Sequence, residues 1–404
     1  MNVAVIGGGA GGFFAAINIK ENYPNAQVTI FEKTKKVLSK VKVSGGGRCN
    51  VTNACLSISK LCEAYPRGGK KLKKAFKEFY TKDCMEWFES RGVPLVIQED
   101  NHVFPESQDS QSIIDCFINA CSKLEINIEV GKAVEKISSV GNKYQLDFRK
   151  SAQASDLFHK IIVATGGSPK KDGLNWLETL GHKIEDPVPS LFTFNMPNEN
   201  ITELMGVVVE KTIVSIQGTK LKSNGPLLIT HWGMSAPAII ILSAFGARIL
   251  NEMNYQFKTQ VNWVNEINND IVKTNLLAIA DKHAQKQLNN FRPYDLPDRL
   301  WQYLITKSHL SPNKRWSELG KKGINKLVTL LTNDIYDVNG KTTFKEEFVT
   351  CGGVSLDSID MKTMQSNICK NIYFVGEVMD IDGITGGYNF QAAWTTAYIA
   401  AKLK

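Results

Sequence analysis

The sequence contains few of the patterns that bind metal ions or form redox-active disulfides. Its eight cysteines include no C-x-x-C pair and no paired His/Cys spacing, and such spacings are the usual signature of zinc and dithiol sites. We therefore predict reduced cysteines and no metal site.

Long hydrophobic runs and a leader-like N-terminus are also missing. The longest apolar stretch, 236–247, is interrupted by Pro237 and Ser243 and is shorter than the ~20 residues that span a bilayer. Met1 is followed at once by a strand-like apolar run and glycines, which leaves no room for a secretion signal. These absences predict a cytoplasmic protein with no membrane association.

Neither sign of charge dominates, and no internal repeat or low-complexity tract is present. Of 404 residues, 43% are hydrophobic and 22% charged, which is typical of a folded protein of about two domains. The net charge of +8 has its densest source in five lysines between 70 and 77, on a helix predicted at 70–91. Apolar residues alternate with these lysines, so we predict a solvated helix face and do not expect a nucleic-acid partner.

The first third of the chain alternates short β-branched runs with amphipathic runs, which predicts a parallel sheet covered by helices. Strands are expected at 2–6, 27–32 and 126–130, helices at 11–22, 70–91 and 110–124, a hairpin at 133–149 and a further strand at 159–164. After Pro187 and Pro189 the pattern changes to strands at 191–195, 207–216 and 227–230, followed by a helical region at 265–333. The first pattern resumes at 344, with a strand at 371–375 and a helix at 390–401. This order predicts one domain interrupted by an insertion.

A glycine motif follows the first predicted strand. Gly7, Gly9 and Gly12 satisfy G-x-G-x-x-G, in which the first glycine permits a tight turn, the second lets the backbone approach a pyrophosphate and the third allows close helix packing. Glu32 ends the next strand, where a carboxylate accepts hydrogen bonds from ribose hydroxyls and disfavours the 2′-phosphate of NADP. The motif predicts a bound dinucleotide, either FAD or NAD.

A second glycine cluster favours FAD. Gly45, Gly46 and Gly47 precede Arg48, and such a loop can present backbone N–H groups to a polyanion while Arg48 pairs with phosphate or supports charge on a flavin ring. The alternative is a surface loop with an incidental arginine. For the adjacent Cys49 we predict a packed, unreactive thiol rather than an acidified one.

Two further segments also favour FAD. Ala164, Thr165 and Gly166 end a buried strand, as an A-T-G return to a cofactor domain does, although a plain glycine turn explains them equally well. Near the C-terminus Glu377 can bond ribityl hydroxyls, and the helix that begins after Gly387 can face the flavin O2 and stabilise reduced flavin. An NAD enzyme has no evident use for this last segment.

Together these segments resemble the bacterial flavoprotein family that includes aminoacetone oxidase and BaiN-like bile-acid reductases, within the two-dinucleotide-binding-domain superfamily. The stretches that carry the resemblance are SGGGRCNVTN, GEVMDIDGITGGYNFQ, 67–70, 103–105, 230–237 and 350–354. Two positions depart from the family: Leu38-Ser39 replaces Gly-Arg before Lys40, and His102 replaces the arginine before Val-Phe-Pro.

The resemblance implies noncovalent FAD, contacted by the first glycine turn, the 40–50 loop, the backbone of Val134 and the 376–391 segment. The residues expected at the cofactor are Gly7, Gly9, Ala10, Gly11, Gly12, Glu32, Lys33, Lys40, Ser44, Gly45, Gly46, Gly47, Arg48, Cys49, Asn50, Val134, Ala164, Thr165, Gly166, Gly376, Glu377, Asp380, Gly386, Gly387, Tyr388, Asn389 and Gln391.

The fold expected is α/β, with a Rossmann-like FAD-binding domain and parallel sheet at 1–190 and 341–404. The resemblance implies that it is interrupted by an inserted substrate domain at 191–340 that lies over the flavin. This insert comprises a β-barrel at 191–264, with a return strand near 341–349, and a helical subdomain at 265–333.

The function expected is an FAD-dependent oxidoreductase that transfers hydride between a small organic substrate and flavin N5. Oxygen, or NAD(P)H visiting the same flavin, is the expected second partner because only one G-x-G-x-x-G motif is present. His231 and Trp232 can line the substrate cavity or form a packed turn capped by Gly233. The alternatives are a tRNA-acting flavoprotein that uses the lysine-rich surface and a redox-inert FAD-binding protein. No residue pattern names the substrate, the catalytic acid or base, or the oligomeric state.

Overall fold

The computed structural model describes residues 1–149, 155–343 and 349–404. The chain divides into two compact units. The first unit contains Met1–Ser190 and the C-terminal segment after Thr343, and the second unit is Leu191–Thr343. Each unit has its own hydrophobic core. Of the return strand predicted near 341–349, residues 344–348 lie outside the described part.

The N-terminal part of the first unit alternates strands and helices. Its strands are β1 Asn2–Ile6, β2 Gln27–Glu32, β3 Thr52–Asn53, β4 Leu95–Ile97, β5 His102–Pro105, β6 Asn127–Val130, β7 Val134–Val140, β8 Lys143–Phe148, β9 Lys160–Val163 and β10 Ile184–Ser190. Its helices are α1 Ala10–Asn22, α2 Ser39–Val43, α3 Ile58–Glu63, α4 Gly69–Ala75, α5 Thr81–Glu89, α6 Gln111–Lys123 and α7 Asn175–Glu178.

The single helix predicted at 70–91 is wrong, because α4 and α5 are separate helices. Phe76 and Phe79 lie between the two helices, and both side chains are buried. This connecting segment packs into the core and does not continue a helix with an outer face of lysines. The Asp83 carboxylate accepts the N–H of Tyr80 at 2.8 Å and caps the start of α5. This local cap begins a second helix.

The second unit is a curled antiparallel sheet with helices. Its strands are β11 Thr193–Asn195, β12 Val208–Ile216, β13 Lys222–Thr230, β14 Gly233–Ser235, β15 Gln256–Asn262, β16 Asp334–Asn339 and β17 Lys341–Thr342, and its helices are α8 Pro237–Glu252, α9 Asn269–Lys282, α10 Asp298–Lys307 and α11 Gly320–Thr332. Within the described residues, no helix is long and apolar enough to cross a membrane.

Gly340 brings the two edges of this sheet together. The strand order is β16-β15-β12-β13-β14-β11-β17, so the edge strands β16 and β17 are separated in sequence by Gly340 alone. Gly340 donates to the carbonyl oxygen of Tyr255 at 2.8 Å and accepts from the N–H of Asn195 at 3.1 Å. The sheet therefore closes on itself as a small barrel.

The chain then completes the first unit. The closing elements are β18 Val349–Val354, β19 Ile359–Asp360, β20 Gln365–Ser366, β21 Ile372–Phe374 and α12 Tyr388–Ala400. The central sheet has the order β19-β20-β21-β9-β1-β2-β6, and β21, β9, β1, β2 and β6 are parallel. The predicted Rossmann-like α/β fold with a parallel sheet is confirmed.

Candidate cofactor site

The first group of predicted site residues lies at the carboxyl ends of four parallel strands. Gly7 follows β1, Glu32 ends β2, Ala164 follows β9 and Gly376 lies just beyond β21. The chain leaves β1 for β2 on one side, while β9 pairs on the other side of β1. This arrangement is a topological switch point, where open α/β sheets bind ligands.

The three motif glycines have different structural roles. Gly7 has a φ of +116°, and a Cβ there would lie 2.3 Å from the carbonyl oxygen of Ala164. A Cβ on Gly12 would lie 1.9 Å from the carbonyl oxygen of Gly7, whereas a Cβ on Gly9 would meet nothing within 4 Å. Gly7 and Gly12 are therefore required for packing, and Gly9 leaves open space next to the backbone.

The start of α1 supplies hydrogen-bond donors beside that space. The first helical hydrogen bond runs from the N–H of Phe13 to the carbonyl oxygen of Gly9. The N–H groups of Ala10, Gly11 and Gly12 therefore have no acceptor within the helix and can bind an anion. This geometry fits a pyrophosphate.

Glu32 is anchored by the backbone and keeps free acceptor capacity. Its Oε2 accepts the N–H of Gly8 and its Oε1 the N–H of Thr34, both at 2.9 Å. A carboxylate has about four lone-pair sites, so both oxygens can still accept from ribose hydroxyls. The N–H of Lys132 donates to the carbonyl oxygen of Glu32 at 2.8 Å, which holds the segment leading to Val134 beside β2. Lys33 is exposed.

Glu377 joins three parts of the first unit. Lys40 from α2 lies 2.9 Å from Oε2, and the N–H and hydroxyl of Thr350 donate to Oε1 at 2.9 and 3.2 Å. Burial acts to raise the pKa of Glu377, but Lys40 and the N–H groups of Thr350 and Gly167 hold it below its usual value. Glu377 is therefore ionised at neutral pH, beside Gly166 of the A-T-G turn.

The second glycine cluster is a left-handed loop at the end of α2. Gly45, Gly46 and Gly47 have φ values of +58°, +70° and +85°, and Cβ atoms on Gly46 and Gly47 would meet nothing within 4 Å. Arg48 donates from Nε to the carbonyl oxygen of Gly45 at 3.2 Å, and its Cζ lies 4.1 Å from the centroid of the Phe104 ring. The loop presents bare backbone with a stacked cation beside it.

Cys49 is buried at the base of this loop. Burial raises the pKa of its thiol to about 12, against a smaller opposing effect of the hydrogen bond with Ser44. Cys49 therefore does not have the lowered thiol pKa that its position next to Arg48 allows. We expect iodoacetamide at pH 8 to leave Cys49 unmodified in the folded protein and to alkylate it after unfolding in urea, as read by peptide mass mapping. Rapid alkylation of Cys49 in the folded protein, at the rate of the half-exposed Cys55, would contradict this geometry.

The start of α12 is hydrogen-bonded to Asn50, which follows the second glycine cluster. The Asn50 side-chain amide is oriented so that both its oxygen and its nitrogen form hydrogen bonds. The oxygen accepts the N–H of Gly387 at 3.2 Å, and the nitrogen donates to the carbonyl oxygens of Val103 and Thr52 at 3.2 and 2.8 Å. A Cβ on Gly387 would lie 2.5 Å from the carbonyl group of Thr52. The N–H of Gln391 donates to the carbonyl oxygen of Gly387, so the N–H groups just before Gln391 have no acceptor within the helix.

Several predicted contacts of the 376–391 segment are engaged within the protein. Gln391 is fully buried, accepts from the Thr52 hydroxyl at 2.6 Å and donates to the Thr395 hydroxyl at 3.0 Å. The Asn389 amide bonds the N–H and carbonyl of Gly383 at 2.8 and 2.9 Å. These two side chains position the helix, and their contact with FAD stays a prediction.

Two other residues of that segment are held through their backbones. The carbonyl oxygen of Tyr388 accepts from the Tyr65 hydroxyl at 2.7 Å. The N–H of Asp380 donates to the carbonyl oxygen of Val354 at 3.0 Å. Both contacts join the C-terminal segment to earlier parts of the first unit.

His231 and Trp232 lie in the second unit, between β13 and β14. Trp232 donates from Nε1 to the Thr193 hydroxyl at 3.0 Å, and a Cβ on Gly233 would lie 2.1 Å from the carbonyl oxygen of Phe194. Trp232 is thus part of a packed turn, while His231 is exposed. Their role in facing a substrate stays a prediction.

A glycine turn at the switch point of a parallel sheet, with an acidic residue ending the second strand, defines a dinucleotide-binding protein. The comparisons with known proteins make the chain an FAD-dependent oxidoreductase. More particularly, the HI0933-like protein Rossmann domain family matches residues 1–403, and the chain belongs to that family. The resemblance drawn from the sequence motifs is therefore confirmed.

Three curated relatives match almost the whole chain. The 3-dehydro-bile acid delta(4,6)-reductase of Clostridium scindens is 27% identical over 99% of this chain and 98% of its own length. The ribosomal RNA dihydrouridine synthases of Haemophilus influenzae and Escherichia coli are each 27% identical over 98% of this chain and 96% of their own lengths.

Solved structures show the same fold. The 3-ketosteroid-delta4-(5alpha)-dehydrogenase of Rhodococcus jostii RHA1 has a TM-score of 0.51 at 11% identity, with 99% of this chain and 96% of that chain covered. A quinol-fumarate reductase has a TM-score of 0.50 at 13% identity, with 100% and 70% covered.

Proposed function

We propose that the protein is an FAD-dependent reductase that saturates a carbon–carbon double bond conjugated to a carbonyl group in a small organic molecule. The observation that carries this proposal is the near full-length similarity to relatives named as a delta(4,6)-reductase and as dihydrouridine synthases. The first name describes a reductase, and the second names a dihydro product, so both names are consistent with the reduction of a double bond.

The residues of the first unit support this chemistry. FAD, when bound, supplies and accepts hydride. The open space at Gly9 and the N–H groups that begin α1 suit its pyrophosphate, and Glu32 keeps acceptor sites for its ribose. The ionised Glu377, next to Lys40, suits hydroxyl donors of the ribityl chain. The N-terminus of α12 favours negative charge, which accumulates on a reduced flavin.

NAD(P)H is the proposed electron donor. A single G-x-G-x-x-G motif is present, and it follows β1. We therefore place no separate nicotinamide domain in the chain, and the donor visits the flavin between turnovers.

A second candidate is reduction of a uridine in RNA. Two of the relatives carry a ribosomal RNA dihydrouridine synthase name, and α4 exposes Lys70, Lys71, Lys73 and Lys74 on one short helix. A cationic face of this kind binds phosphodiesters with a strong dependence on salt. The small-molecule proposal remains first, because Lys71 already pairs with Asp357 at 3.3 Å and apolar residues of the helix are buried.

Anaerobic half-reactions distinguish these proposals. The purified protein is expected to show an oxidised flavin spectrum that NADH or NADPH bleaches. Its reoxidation by cyclic enones should be at least tenfold faster than by the matched saturated ketones. Reoxidation by a uridine-containing ribosomal RNA transcript, but not by enones, would favour the second candidate. A reduced flavin that reacts with oxygen alone would contradict both.

A further inference from the structure

Asp100 and His102 form a dyad at the start of β5. The Asp100 Oδ2 lies 3.0 Å from Nδ1 of His102, and its Oδ1 accepts the backbone N–H of His102 at 3.1 Å. The Asp100 carboxylate therefore holds both the start of β5 and the imidazole ring of His102. A carboxylate at Nδ1 holds the proton of a neutral imidazole on that nitrogen and directs Nε2 outward.

The Nε2 atom of His102 lies against the loop that begins α12. A Cβ on Gly386 would be 2.7 Å from Nε2, and Asn53, the ladder partner of His102, donates to the carbonyl oxygen of Gly386 at 3.3 Å. Among the described residues, no protein group forms a hydrogen bond with Nε2. The side chain is 29% exposed, so the ring can exchange protons with solvent.

The same strand also reaches the second glycine cluster. Phe104, two residues along β5, carries the Arg48 guanidinium on its ring face, and its Cε1 would lie 3.0 Å from a Cβ on Gly45. The ring centroids of His102 and Phe104 are 6.4 Å apart. His102 thus stands between the two loops that we assign to the cofactor.

We propose that His102, positioned by Asp100, donates the proton that completes reduction of the substrate double bond. This inference rests on the proposed function. Reduced FAD, if bound, would supply a hydride to one carbon of the double bond, and the Nε2–H of the His102 imidazolium supplies a proton to the neighbouring carbon. The π bond would then be replaced by two C–H bonds, with FAD left oxidised. NAD(P)H would supply the hydride that reduces FAD again, and His102 regains its proton from solvent.

Of the two side chains that border Gly386, His102 is the more suitable acid. Tyr388 also borders Gly386, but burial raises its pKa to about 12, so it holds its proton firmly. An arginine at this place would keep its proton throughout the physiological range. A histidine can release and regain one, which gives this chain an acid at a place where an arginine would give only a charge.

The decisive experiment compares His102→Gln with wild type in separate half-reactions. The variant is expected to retain FAD at an unchanged ratio and to be reduced by NAD(P)H at an unchanged rate. Its reoxidation by an enone should be about 100-fold slower or more, the scale of general acid catalysis. The wild-type rate should fall as the pH rises, because neutral imidazole has no Nε2 proton to give, and the variant rate should be flat. The control is His309→Gln, an exposed histidine of the second unit, which should match wild type.

Asp100 is tested as a positioning residue by a spectroscopic measurement. Nitrogen NMR of the FAD-bound protein at high pH should show His102 as the Nδ1–H tautomer in wild type and as a mixture in Asp100→Ala. The signal is assigned among the six histidines by its loss in His102→Gln. An identical tautomer in both proteins would overturn the role of Asp100.

The outcomes separate the inference from the proposed function. If His102→Gln keeps the wild-type reoxidation rate and pH profile, the acid is not His102, while the reductase proposal stands. If no enone reoxidises the wild-type protein at any pH, the proposed function fails and this inference fails with it.

Discussion

Alanine at position 12 is expected to lower the thermal midpoint of the first unit by about 6–12 °C and to abolish retention of FAD. Its Cβ would lie 1.9 Å from the carbonyl oxygen of Gly7, a backbone atom that cannot move without displacing the end of β1. Overpacking of this kind costs about 3 kcal/mol at the upper end, and each kcal/mol shifts the midpoint by about 2–4 °C at this size. Circular dichroism melting of the apoprotein and the ratio of flavin to protein measure the two effects.

Gly9→Ala is the matched control in the same turn. Its Cβ would meet nothing within 4 Å, and its backbone is extended, with φ of −96° and ψ of −170°. The apoprotein should therefore melt as wild type does. The added methyl occupies the space needed by the pyrophosphate, so FAD affinity should fall at least tenfold. A Gly12→Ala protein that melts normally, or a Gly9→Ala protein with normal affinity, would contradict the assigned roles.

The elements around this turn could be predicted because their signals are local. The apolar run of β1, the glycine spacing and the acidic end of β2 lie within 32 residues of each other, and the structure places α1 at 10–22 against a predicted 11–22. The sequence likewise predicts the start of the closing helix α12 to within two residues. Periodicity and caps need no information from distant parts of the chain.

The strand β16 was missed for a physical reason. Its residues alternate between buried and exposed positions, but the first inward side chain is Asp334, which breaks an apolar pattern. That carboxylate is stabilised by Lys307 at 2.6 Å and by the Trp263 Nε1 at 2.9 Å. Both partners come from other elements, so the sequence near 334 carries no sign that a charge can be buried there.

The partners of the candidate site residues were also beyond local patterns. Lys40 and Glu377 are 337 positions apart, and the pairing of Asn50 with Gly387 spans a similar distance. Motifs identified both members of each pair as candidate FAD contacts, yet only the folded chain shows that they bind each other. Asp100 gave no motif signal, because an isolated acidic residue near a histidine is common on surfaces.

Removal of the Arg67 guanidinium is expected to cost about 3–5 kcal/mol of unfolding free energy at pH 7, the usual effect of breaking a buried ion pair. Arg67 and Asp382 form a two-point ion pair, with side chains 14% and 0% exposed. The Ser190 hydroxyl also donates to Asp382, at 2.8 Å. In Arg67→Met the Asp382 carboxylate stays buried without its counter-charge, and urea unfolding at several pH values measures the loss.

The pH dependence of this loss has a definite sign. Burial already raises the pKa of Asp382, against the opposing effect of Arg67, and without Arg67 the pKa must rise further. A carboxyl group with a raised folded pKa loses stability as the pH rises from its unfolded to its folded value. The Arg67→Met defect should therefore be smaller at pH 5 than at pH 8. Adding Asp382→Asn should recover part of it at pH 8, because no buried charge remains.

Lys71→Met is the matched control, because it removes an ion pair at the surface. Lys71 and Asp357 are 3.3 Å apart, with side chains 54% and 86% exposed, and exposed pairs contribute at most about 1 kcal/mol. The control should therefore unfold close to wild type at both pH values. If Arg67→Met were as stable as Lys71→Met, the buried pair would not hold the 380–382 turn beside α4, and Gly386 and Gly387 would depend on other contacts for their position.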